Sequence, residues 1–192
     1  MAFTRIQIIS NAVTLIGKGV INQTTSIGPI GPAAEQAYDL LYPSLLSSDS
    51  WRFNVRLQQL SRLVSTPIID DWKYVFQLPS DYLALIRLYP LTNYNIYEDK
   101  VFSNNIDLTA EYRFLTPEHL LPPTFVEYFV YAIADYLSLG VALQESYAEK
   151  MEKRKELAYR RALATDGYSH PNQPIVDAPF IDVRFGSGYN RG

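Results

Sequence analysis

Cysteine is absent from this chain of 192 residues, which excludes a disulfide framework and any thiolate zinc site. Histidine occurs only at His119 and His170, in a short turn and in a Pro-rich tail, and neither has a spaced partner for a metal. No Gly-x-Ser-x-Gly elbow and no Walker-type loop is present. Gly17-Lys18-Gly19 and the stretch from Gly28 to Gly31 are Gly-rich, but neither lies between a strand and a helix as a phosphate cradle does. Strong charge of one sign is missing too: the net charge of -3 gives no general reason to expect a nucleic-acid partner. The longest apolar run, Val126 to Leu143, contains Glu127 and Asp135, so a buried helix explains it better than a membrane span. No charged n-region, apolar run and cleavage site open the chain, and a soluble, intracellular protein is expected. Asp70-Asp71 and Glu98-Asp99 pair carboxylates in sequence, but neighbours on a strand point to opposite faces, so they read as turn residues. No catalytic residue, cofactor or metal is expected.

What is present is apolar and aromatic: 47% hydrophobic residues, 14% aromatics and 15 tyrosines, enough for one domain with a real core. The organising stretch runs from Thr124 to Ala164. Thr124 with Glu127 reads as a capping box. Val126, Val130, Ile133 and Leu137 form one apolar face, and Phe125, Phe129, Ala132, Tyr136, Leu139 and Leu143 form a second. Two apolar faces mean partners on both sides. After a break near Glu145-Ser146 the helix turns charged, with Tyr147, Met151, Ala158 and Ala162 as a narrow apolar seam.

The segment 1–54 reads as two helices. The first starts near Thr4, carries Ile6, Ile9, Val13 and Ile16, and ends at Gly17. The second opens with Pro32 in its first turn, carries Ala34, Ala37, Tyr38, Leu41, Leu45 and Leu46, and is expected to kink or restart at Pro43. The segment 55–116 reads as an inserted β-region. Trp72, Tyr74, Phe76 and Leu78 alternate up to Pro79, Leu83 to Leu88 suits a strand or a short helix, and Tyr94 to Phe102 folds over Glu98-Asp99 as a hairpin. Leu108 to Phe114 alternates again. With the C-terminal helices in 117–166, the arrangement is α+β: a bundle of about four helices, one small antiparallel sheet inserted in it, and an extended arm at 167–192. That arm holds Ile175, Val176, Phe180, Ile181, Val183 and Phe185, too apolar for an idle linker and suited to docking on another chain.

The order of parts resembles a known family. Asn11 to Gly17, then Trp51-Arg52-Phe53-Asn54, then Tyr74-Val75-Phe76-Gln77-Leu78-Pro79-Ser80-Asp81, then Leu121-Pro122-Pro123-Thr124-Phe125 are similar to the tail tubular protein A family, the head-to-tail adaptors of short-tailed bacteriophages. The resemblance covers about Phe3 to Ala164. Trp51, Phe53 and Trp72 read as aromatics that lock helices to sheet, and Asp81 as a cap on the turn it begins. The resemblance implies a structural protein of the virion, assembled in the host cytoplasm: a homo-oligomeric ring, usually dodecameric, between portal protein and tail nozzle protein. Tail fibres are a further candidate contact, DNA passes nearby in the channel, and no membrane is involved. On this reading the arm residues dock on the portal and the hairpin with Tyr94, Tyr97 and Phe102 faces the nozzle. The charged helix with Glu145, Glu149, Lys153, Arg154 and Arg161 joins subunits. The alternatives are a DNA-binding or packaging accessory that uses the basic cluster of Lys150 to Arg161, and a carboxylate-based hydrolase, for which no pair of carboxylates with a defined separation is evident.

Overall fold

The structure, a computed structural model, describes residues 3–18, 30–64, 71–140 and 145–168. Helix α1 (Arg5–Leu15) is fixed at its start by a reciprocal box: Gln7 N donates to Thr4 Oγ1 at 3.4 Å and Thr4 N donates to Gln7 Oε1 at 3.0 Å. It stops where Gly17 takes a φ of 77°, a conformation that a side chain would strain. Helix α2 (Ile30–Ser48) has Pro32 in its first turn and continues through Pro43 as one element, with no restart. The carbonyl that Pro43 leaves without a donor belongs to Asp39, which is exposed, so water can serve it.

Helix α3 (Pro123–Gly140) begins earlier than the sequence suggests. Val126 N donates to Pro122 O at 3.0 Å, so Pro123 takes the first helical position, where a missing N–H costs nothing, and Thr124 already lies inside the helix. Helix α4 (Glu145–Tyr168) includes Glu145-Ser146, so the break expected there is not found; residues 141–144 lie outside the described part. It also runs through Gly167 and Tyr168, the first two residues assigned to the arm.

Helix α3 packs against each of α1, α2 and α4. Its two apolar faces are buried at Phe125, Val126, Phe129, Val130, Ala132, Ile133 and Leu137, while Tyr136 is 46% exposed. Ile8, Ile9, Ala12 and Val13 of α1, Ala34, Ala37, Tyr38 and Leu46 of α2, and Met151, Ala158 and Ala162 of α4 complete this helical core.

Between α2 and α3 the described residues form two antiparallel sheets, not the one expected. The strands are β1 (Val55–Gln59), β2 (Ser61–Arg62), β3 (Tyr74–Gln77), β4 (Tyr82–Tyr89), β5 (Tyr94–Tyr97), β6 (Lys100–Ser103) and β7 (Thr109–Phe114). One sheet has the order β1-β7-β4 and the other β2-β3-β6-β5. The chain changes sheet at Leu60, whose N–H donates to Leu108 O at 2.8 Å at the corner. A second core fills the space between the sheets, with Leu60, Phe76, Leu88, Val101, Leu108, Tyr112 and Phe114. Leu83 to Leu88 is a strand, part of β4, with register shifts on both sides of Ala84-Leu85.

The helical layer and the sheets meet at the end of α2. The last carbonyls of a helix have no donor within it. Here Trp51 Nε1 donates to Leu45 O at 2.9 Å, Asn54 Nδ2 to Leu46 O at 2.7 Å, and Arg113 Nη1 to Ser47 O at 2.9 Å. Trp51 is fully buried, with its ring 5.1 Å from Phe125 in an edge-on contact, and half-buried Phe53 lies 5.0 Å from the same Phe125. Asn54 Oδ1, the other end of that buried amide, has no partner among the described residues. Trp72 does not share this position: it is half-buried ahead of β3 and belongs to neither core.

Two substitutions at Trp51 separate packing from hydrogen bonding. Trp51→Ala is expected to lower unfolding free energy by about 3–5 kcal/mol. Trp51→Phe, which keeps a ring but leaves the Leu45 carbonyl only the Ser48 hydroxyl at 3.1 Å, is expected to cost about 0.5–1.5 kcal/mol. Urea unfolding followed by circular dichroism measures both; a Trp51→Phe variant as stable as the parent would mean that the N–H contributes nothing.

Candidate functional site: interaction surfaces

The residues that sequence alone nominates for chemistry are scattered. His119 is exposed in a 3-10 turn (Glu118–Leu120), while His170 and Asp70 lie outside the described residues. Asp71 serves as a backbone acceptor for Asn104 Nδ2 at 3.3 Å. Glu98 and Asp99 form the turn of the β5–β6 hairpin, with Glu98 at a φ of 55°. Gln77 Nε2 donates to Asp99 Oδ2 at 2.8 Å and holds that carboxyl below its usual range. Among the described residues no group of three or more His, Asp or Glu could hold a metal ion. None of their helices is long and apolar enough to cross a membrane.

The ionisable groups that are buried work for the fold. A cleft of about 390 Å³ between α1, α2 and the segment before α3 is lined by Arg5, Tyr38, Asp39, Tyr42, Thr116 and Glu118, among others. Tyr38 Oη donates to Glu118 Oε1 at 2.9 Å, the Tyr42 hydroxyl donates to the Thr116 carbonyl, and Arg5 grips Asp39 at 2.8 and 2.9 Å. Burial above all, with the Glu118 carboxylate beside them, drives the Tyr38 and Tyr42 phenols far above their usual range, so both remain donors. Burial likewise pushes Tyr128 up to about 12, helped by the charge of Asp49. Between the sheets, Asp81 pairs with Arg56 and accepts from Tyr112 Oη at 3.0 Å, while the Arg56 guanidinium lies 3.9 Å from the centre of the Phe114 ring. Asp81 is thus a partner for β1 and β7 and not, as expected, a side-chain cap on its own turn. No sequence spacing links Arg56, Asp81 and Tyr112; strand pairing alone brings them together.

What remains available is surface. On the hairpin, Tyr94 and Tyr97 are 39% and 46% exposed, but Phe102 is buried and carries the Tyr97 ring at 5.3 Å. The reason is the position of β6, which lies inside its sheet between β3 and β5. Tyr94 and Tyr97, three residues apart on a strand, project from opposite faces, so the three aromatics expected to act together do not form one patch. The outer face of the three-stranded sheet bears a hollow of about 570 Å³ lined by Val55, Leu57, Tyr89, Thr109 and Glu111, with Leu57 63% exposed. A second hollow, of about 410 Å³ between α1 and α3, is lined mainly by Phe3, Leu15, Val126, Val130 and Tyr131.

On α4, Glu149, Lys153 and Arg154 are exposed with no ion-pair partner among the described residues, whereas Arg161 approaches Glu127 of α3 at 3.9 Å. Nothing is described of the Glu145 side chain. Lys155, which the sequence places in the same cluster, instead pairs inward with Asp135. The arm residues Ile175, Val176, Phe180, Ile181, Val183 and Phe185 lie outside the described residues.

The buried phenols give the fold an alkaline limit. In the unfolded chain they ionise near pH 10. In the folded chain their raised values keep them protonated, so their contribution is complete below about pH 10 and is lost as pH rises further. Tyr128 makes no hydrogen bond through its hydroxyl among the described residues, and Tyr128→Phe isolates one share. It is expected to leave stability at neutral pH nearly unchanged and to reduce the fall between pH 10 and 12 by up to about 1.4 kcal/mol per pH unit. Urea unfolding at stepped pH, with absorbance of the phenolates, is the check. Compared with known proteins, the chain is matched by no family model and by no curated sequence.

Proposed function

We propose that this protein is a structural head-to-tail adaptor of a short-tailed bacteriophage, a ring-forming subunit between portal protein and tail nozzle protein that continues the DNA channel. The observation that carries this reading is the distribution of surface features. The buried polar networks hold the fold together, while separate faces of one subunit carry an exposed charged helix, an exposed sheet face with Leu57 and Tyr89, and a hairpin with Tyr94 and Tyr97. A ring needs two unlike patches on each subunit that meet by rotation, and this chain has unlike patches to offer. The sequence motifs of the resemblance supply the rest of the support. Trp51 and Asn54 of its Trp-x-Phe-Asn element stand at the joint between helices and sheets, where a shared fold would require them.

In this assignment the segment after Tyr168, with its apolar residues from Ile175 to Phe185, docks on the portal, and the hairpin end with Tyr94 and Tyr97 faces the nozzle. Helix α4 and the sheet face join subunits, and no reaction is catalysed. The rival is a DNA-binding accessory role. Lys150, Lys153 and Arg154 are exposed and have no ion-pair partner among the described residues, but Glu149 and Glu152 stand among them and weaken any field that duplex DNA would meet.

Negative-stain imaging with mass measurement, on the protein alone and mixed with its portal, decides. Rings seated on the portal are expected, with binding lost when the chain is ended after Tyr168. A monomer indifferent to portal would sink the adaptor reading. Salt-sensitive DNA binding, lost on neutralising Lys153 and Arg154, would put the accessory role in its place.

A further inference from the structure

The charges of α4 are sorted around its circumference. Glu149, Glu152 and Glu156 follow one another at intervals of three and four residues, as one exposed stripe. Lys150, Arg154 and Arg161, with Leu157 between them, follow the same rhythm and form a second exposed stripe. Met151, Ala158 and Ala162 are buried beneath, so the two stripes run along opposite flanks of the outward face. Lys153 and Arg160 stand on the crest between them, and Arg160 Nε donates to Glu156 Oε1 at 2.8 Å. Glu149, Glu152, Lys150 and Arg154 have no ion-pair or hydrogen-bond partner among the described residues. A helix of 24 residues makes these stripes part of an edge about 36 Å long.

This pattern selects a partner. The helix carries six basic and five acidic residues, so a polyanion drawn to one flank is repelled by the other. A second copy of this chain satisfies both flanks, because the acidic stripe of one copy complements the basic stripe of the next. Leu157, 52% exposed within the basic stripe, supplies an apolar contact in the middle of that edge. Contact between unlike flanks is heterologous and repeats from copy to copy. Copies related by rotation about an axis along α4 hold their helices parallel, which brings Glu149 to the level of Lys150 and Glu152 to that of Arg154, each within one helical turn, about 5.4 Å of rise.

We propose that neighbouring copies join flank to flank through α4, with Glu149, Glu152 and Glu156 of one copy facing Lys150, Arg154 and Arg161 of the next. This rests on the ring reading above and assigns its subunit contact.

The test uses two full-length variants with inverted flanks, one carrying Lys150→Glu and Arg154→Glu, the other Glu149→Lys and Glu152→Lys. All four side chains are exposed and all substituents favour helix, so circular dichroism is expected to match the parent. Assembly is read by mass photometry and imaging, with and without portal. Each variant alone is expected to associate at least about tenfold more weakly than the parent, and an equimolar mixture to restore rings of alternating composition. Raised salt is expected to weaken the parent's association. If the parent forms rings and both variants alone do so equally well, the stripes are solvated and the proposal fails while the ring reading stands. A mixture that does not recover would overturn it too. If the parent forms no ring even on portal, the ring reading fails and takes this proposal with it. Salt-dependent binding of duplex DNA, lost only in the Lys150/Arg154 variant that still forms rings, would give the basic flank to nucleic acid instead.

Discussion

The end of α2 is the constraint on which the rest depends. Three successive carbonyls there need donors, and a buried carbonyl left unpaired costs free energy comparable to a lost hydrogen bond. They are served by Trp51, Asn54 and Arg113, which come from the turn after the helix and from β7. Because β7 pairs with both β1 and β4, the Arg113 bond ties a whole sheet to the helix end. Arg52 N donates to Asp166 Oδ2 at 2.7 Å and Tyr159 Oη to Asp49 Oδ1 at 2.8 Å, so α4 is tied to the same joint. Trp51, Phe53, Phe125, Tyr128 and Tyr159 pack around it with ring centres 5.0–6.3 Å apart. These bonds tie α2, α4 and the three-stranded sheet to one joint.

The same economy explains why so few buried polar groups are open to ligands. Tyr38, Tyr42, Asp81, Arg56 and Tyr112 all bridge elements far apart in sequence. Their hydrogen bonds are made, and phenols held neutral by burial offer no nucleophile near neutral pH. Exposed features carry no such duty. Helix α4 divides its residues cleanly between the two tasks: Met151, Lys155, Ala158, Tyr159 and Ala162 face its own chain, while Glu149, Lys150, Glu152, Arg154 and Leu157 face outward.

Much of this was legible in the order of residues. Spacing of three and four gave α1, the two faces of α3 and the seam of α4; alternation gave β3 and β7, and the runs flanking Glu98-Asp99 gave the hairpin; and Gly17 ended the first helix where its left-handed backbone does. Those signals are local, set by the period of a helix or a strand. A local rule can also mislead: the capping box read at Thr124 and Glu127 placed the start of α3 too late, because Pro123 needs no donor at the first helical position and takes it.

By itself, then, the sequence determined the α+β class, the four helices and the aromatic motif at the joint, since each follows from spacing or residue type within a few positions. Tertiary structure alone decided that the strands split into two sheets at Leu60, that Trp51 and not Trp72 is the buried anchor, and that Phe102 supports the hairpin from inside. It also gave Asp81 to Arg56 and Tyr112. Each of these depends on residues that lie 25 or more positions apart, as Arg56 and Asp81 do, or on which strand ends up in the middle of a sheet. Periodicity shows which face of an element is apolar; only packing determines what that face meets.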